Sequence, residues 1–136
     1  MAAKDSLSSQ FFGPGGMGFH ISEQKNREGI LKKGLVGNVP EPSGFKKYFQ
    51  SNVPGVFVSD LPMNTAKDID IYTVDTSNLP HITDDVTPFD RAAGSRFIPG
   101  SIPRERVRLL EGEEREKARR AFRSLASDEI VFPERL

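Results

Sequence analysis

Ten prolines, at positions 14, 40, 42, 54, 62, 80, 88, 99, 103 and 133, punctuate this 136-residue chain. Each removes a backbone N–H and holds the residue before it out of the α region. Only the windows 15–39 and 104–132 escape them. In the first, Ser22 as cap, Ile30 and Leu31 as apolar anchors and Gly34 as a stop predict a short helix over 22–33. In the second, a longer helix is expected over 103–127, with Pro103 in its first turn. Its face would carry Val107, Leu110, Ala118, Ala121, Phe122 and Leu125, and Gly112 would kink it. Between Pro40 and Pro103 the longest gap holds "DIDIYTVD", 68–75. It alternates as a strand does, with Ile69, Ile71 and Thr73 on one face and Asp70, Tyr72 and Val74 on the other. "GVFVS", 55–59, is a second strand candidate, and pairing the two gives at most a small β-ribbon. The expected fold is therefore a mostly irregular, extended, coil-rich chain with one C-terminal helix.

Charge divides the chain in the same places. Residues 1–50 carry a net +3, 51–90 a net −6, 91–127 a net +5 and 128–136 a net −2, so the whole is neutral. The acidic block uses only Asp, suited to turns, and the third block is rich in the Arg and Glu that suit helices. This divides one subunit into four parts: a Gly/Phe-containing arm to residue 50, an Asp/Pro-rich segment over 51–102, the charged helix and an apolar tail over 128–136. The acidic block can complement the basic helix within the molecule, or the helix can face an acidic partner. Leu, Ile, Val and Phe make up about a quarter of the residues, above the roughly 20 % below which disorder is expected. The absence of Cys excludes disulfides and thiolate metal sites. With no long apolar run and no secretory or transit pattern, an intracellular site is expected, cytoplasmic or cytoskeletal ahead of an organellar complex.

Gly13-Pro14-Gly15-Gly16-Met17-Gly18 matches G-x-G-x-x-G. A dinucleotide loop needs an apolar strand before it and a helix opening at its last glycine. The preceding "MAAKDSLSSQFF" supplies no such strand, and the stretch reads instead as a φ-permissive hinge between Phe12 and Phe19. His81 with Asp84 and Asp85 is too sparse a set for a metal centre, and Asp68, Asp70 and Asp75 depart from a calcium loop at Tyr72 and Leu79. No cofactor, metal or catalytic residue is expected.

Two features point to partners. "GNVP" (37–40), "SNVP" (51–54), "SDLP" (59–62) and "SNLP" (77–80) repeat a local pattern, an Asx-turn followed by an aliphatic residue held extended by proline. Phe12, Phe19, Phe45, Phe89 and Phe132 each adjoin Gly or Pro, and Phe97 lies two residues from Pro99. Aromatic residues in such segments insert into the pockets of other proteins. With Leu110, Phe122 and Leu125 of the helix they form the expected partner-binding set. The functional expectation is a non-catalytic accessory or structural subunit, bridging protein neighbours in a larger assembly. The alternatives are an RNA- or ribosome-associated basic protein and a small globular enzyme or nucleotide binder using the Gly13–Gly18 loop.

Overall fold

The structure, a computed structural model, describes residues 16–40, 49–62, 66, 68–84 and 88–129; for Phe89 and for 121–129 the description covers the backbone alone. Among the described residues, six strands form two three-stranded antiparallel sheets. In the first, β3 (Ile69–Asp75) lies between β1 (Met17–Glu23) and β6 (Val107–Leu109), in register His20↔Tyr72 and Tyr72↔Leu109. In the second, β5 (Arg96–Pro99) lies between β2 (Gly55–Val58) and β4 (Ile82–Thr83), in register Phe57↔Phe97 and Ile82↔Phe97. One antiparallel bridge, Phe19↔Ser59, joins β1 to the end of β2, with N–H to O distances of 2.7 and 3.0 Å. The helices are α1 (Arg27–Lys33), α2 (Pro88–Ala93) and α3 (Gly112–Glu129).

The core follows from strand alternation. Val56 and Val58 of β2, Ile98 of β5 and Tyr72 and Val74 of β3 pack together with Ile30 of α1, Leu35 and Ile102. Leu79, Val107 and Leu109 close its margin. On the opposite face of the second sheet, Phe57 and Phe97 pair across the strands and Phe49 joins them, the three ring centroids 5.0–5.2 Å apart. The other face of β3 is buried as well, at Ile71 and Thr73.

The chain is therefore not the extended, coil-rich one that its prolines suggested. They bound short strands rather than prevent them: Pro54 precedes β2, Pro99 ends β5, and Pro88 opens α2. The segments 55–59 and 68–75 do become strands, but they pair with other partners and form no ribbon. The helix expected over 22–33 is cut to Arg27–Lys33, because Ser22 belongs to β1 and a 3-10 turn covers Gln24–Asn26. Gly34 ends it as read, at φ +87° with its N–H bonded to the Ile30 carbonyl.

The helix expected over 103–127 begins only at Gly112. Residues 104–106 are a 3-10 turn and 107–109 a strand on β3, and Gly112 at φ +55° turns the chain into the helix rather than kinking it. Leu110 is buried from the strand end, its N–H bonded to the Ile71 carbonyl.

Candidate functional site

The polar groups that chemistry might use sit on the seams between elements. Asp70 lies in a strand whose two faces are both covered and is 2 % exposed. A carboxylate there needs a partner. α1 supplies Arg27, whose Nε and Nη2 donate to the two Asp70 oxygens at 2.8 and 2.6 Å. The Tyr72 hydroxyl, on the same face, reaches Asp70 at 3.5 Å. Burial, then the negative charge of Asp70, push the Tyr72 phenol up to about 12. Across the strand pair from Tyr72, His20 donates from Nδ1 to the Phe57 carbonyl at 2.8 Å. Burial pushes its pKa below 6.5 and outweighs that bond, so the ring is neutral, with its proton on Nδ1.

At the other seam, Arg96 of β5 donates to Asp60 at 2.6 Å, to the Gly94 carbonyl at 3.2 Å and to the Met17 carbonyl at 3.2 Å. This explains a glycine within β1. A Cβ on Gly18 would stand 2.8 Å from Arg96 Nη2 and 3.2 Å from the Ser59 carbonyl. Gly18 is thus inside a strand, where a dinucleotide loop would open a helix. Arg106 donates to the carbonyls of Asp75 and Ser77 at 3.1 and 2.9 Å. Arg115, at the base of α3, donates to those of Ile69 and Ala66 at 2.6 and 3.2 Å. Arg108 pairs with Glu114 at 2.8 Å and Arg119 with Glu116 at 2.9 Å, holding both carboxyls below the usual range. Arg96, Arg106 and Arg115 are thereby turned toward the molecule itself, while Arg91, Arg104, Arg108, Lys117 and Arg120 are exposed.

His81 is exposed, while Asp84 is buried and accepts the Ser95 hydroxyl at 2.9 Å, so the pair faces different surroundings. Asp85 lies outside the described residues. Among the described residues no three or more His, Asp or Glu side chains are grouped as a metal site, and no helix is long and apolar enough to cross a membrane.

The expected partner-binding residues separate. Phe19, Phe97 and Leu110 are buried within the chain, in contact with its own sheets. Phe12, Phe45 and Phe132 lie outside the described residues; Phe89 is in α2, and Phe122 and Leu125 are in α3, without described side chains. Of the four repeated turns, Leu61 points inward and Leu79 borders the core, whereas Val39 and Val53 are exposed. Sequence reasoning missed the arginine contacts. The available signal was Asp70 itself, a lone charge on an otherwise apolar strand face. No protein-family model matches the chain, and no curated protein matches it significantly.

Proposed function

We propose that the chain is a non-catalytic protein-interaction subunit, a folded two-sheet domain that bridges neighbours in a larger assembly and engages one of them through α3. The supporting observation is the way α3 is mounted. Its 18 residues extend about 27 Å. Arg115 fastens its first turns to β3, and Ala118 is fully buried. Ala118 also begins the apolar series 118, 121, 122, 125 of the sequence, whose large members are Phe122 and Leu125. A helix fastened at its base and followed in sequence by two large apolar residues suits an anchor for a partner groove. The RNA reading draws less support, because Arg106, Arg108, Arg115 and Arg119 are engaged within the chain.

The test is affinity purification of the full chain from its native source, with wild type, Phe122→Ala and Arg120→Glu compared. Stoichiometric protein partners lost with Phe122→Ala, at a cost of a few kcal/mol as for other large apolar truncations, are the expected result. Association that survives Phe122→Ala and is abolished by Arg120→Glu would overturn packing as the binding force.

A further inference from the structure

Alternate residues along β2 and just past it turn their backbone groups away from β5. The Gly55 N–H donates to the Asn38 carbonyl and the Ser59 N–H to the Phe19 carbonyl, both at 3.0 Å. Between them the Phe57 carbonyl accepts from a side chain, His20 Nδ1, at 2.8 Å. His20 follows Phe19 in β1, so the imidazole and the Phe19↔Ser59 pair close the seam between the two sheets side by side.

An imidazolium has no counterion at this seam among the described residues. β2, Gly55–Val58, carries no titratable side chain. From β3, Tyr72 stands opposite His20 with ring centroids 6.4 Å apart, and Asp70 lies one step further along the same face, opposite Ser22. Both Asp70 oxygens are held by Arg27 of α1. The Tyr72 phenol, pushed up to about 12 by burial and then by Asp70, keeps its proton wherever a histidine titrates. From β5, Arg96 lies against Gly18, two residues along β1 on the face of His20, and is itself paired with Asp60. Its positive charge opposes a second one on the ring. Burial acts in the same direction and outweighs the bond to Phe57. The ring is only partly buried, so water is within its reach.

We propose that His20 is a proton-operated latch on this seam: the neutral ring holds β1 to β2, and the protonated ring leaves Phe57 for water and opens the Phe19↔Ser59 pairing. The β1–β3 and β2–β5 ladders persist, because neither uses the imidazole. The sign follows from linkage. The closed seam binds the proton less readily than the open one, so closure is strongest above pH 6.5, weakens as pH falls through that value and levels off below the lower value of the closed form. The latch goes beyond the α3 anchor and uses none of its residues.

The test is amide hydrogen exchange on the full isotope-labelled chain, read residue by residue by NMR, with rates corrected for the intrinsic effect of pH. Imidazole nitrogen shifts on the same sample follow the ring, which should be neutral with its proton on Nδ1 above pH 6.5. As the ring titrates, protection at Phe19 and Ser59 should fall severalfold relative to Tyr72 and Val58, which are registered within their own sheets. His20→Gln, which can donate to Phe57 but cannot take up a proton, should hold that ratio constant. A wild-type ratio unchanged through the ring's titration would overturn the proposal whether or not the variant folds, and so would the same pH dependence in a folded His20→Gln. Equal loss at all four amides would overturn it too, leaving His20 as a contributor to global stability alone.

Discussion

Asp70→Asn keeps the shape of a buried side chain and removes its charge, which isolates what the contact with Arg27 contributes. Breaking a fully buried ion pair costs about 3–5 kcal/mol. Arg27 is 43 % exposed and can turn to water, so a loss of about 2–3 kcal/mol is expected by urea unfolding, scaled down from that range. Tyr72→Phe removes only the 3.5 Å contact and should cost under ~1 kcal/mol. An Asp70→Asn variant as stable as wild type would show that α1 is held by packing alone.

His20 gives a pH signature. Its folded pKa lies below 6.5, so the unfolded chain takes up the proton first. Stability is then fully present above 6.5, declines as pH falls through that value, and levels off below the depressed folded one. The carboxyls pushed downward, Asp75 by its bonds from Ser77, Glu114 by Arg108 and Glu116 by Arg119, lose their contributions only at more acidic pH. Urea midpoints between about pH 7.5 and 5.5 therefore report mainly on His20, using the ordinary carboxyl and imidazole ranges. His20→Gln should flatten that slope; an unchanged slope would assign it elsewhere.

Two glycines near α1 predict opposite signs. Gly29 lies within the helix with open space where a Cβ would go, so Gly29→Ala should stabilise by about 0.5–1 kcal/mol. Gly34 sits at φ +87°, and a Cβ there would come within 2.3 Å of the Ile102 carbonyl. Gly34→Ala should destabilise by more than about 1 kcal/mol and loosen the Leu35↔Ile102 bridge. Shifts of the urea midpoint at constant slope measure both, and a stabilising Gly34→Ala would refute the assigned backbone.

Gly34 was legible in the sequence because a helix stop is a local event. So was β3, whose seven residues are long enough to display alternation. β4 and β6 span two and three residues and display no period. β1 was hidden by Gly18, whose fitness for a strand depends on Arg96, far along the chain. The partner residues were read by the same local logic. Phe97, flagged for its proline neighbourhood, gains its surroundings from Phe57 across the sheet and from Phe49.

At the scale of the molecule, the segregated charges meet one another. Arg27 from the basic N-terminal block reaches Asp70 in the acidic block, and Arg96 and Arg106 from the third block reach Asp60 and Asp75. These contacts tie distant segments into one body, and the chain exposes 8030 Å². A folded chain of 15.1 kDa exposes about 7,100 Å² and an unfolded one about 22,000 Å². The observed area is close to the first and far from the second. For 136 residues the matching radii of gyration are about 14 Å compact and about 38 Å unfolded. Solution scattering on the isolated chain should therefore give a value below about 20 Å, with the upper margin allowing for segments less tightly packed than the two sheets. Because the seams couple α1, both sheets and the base of α3, far-ultraviolet dichroism and the fluorescence of the two tyrosines, Tyr48 and Tyr72, should report one coincident transition. A radius well above 20 Å, or dichroism and fluorescence midpoints that separate, would mean that the two sheets do not hold together as one body in the isolated chain.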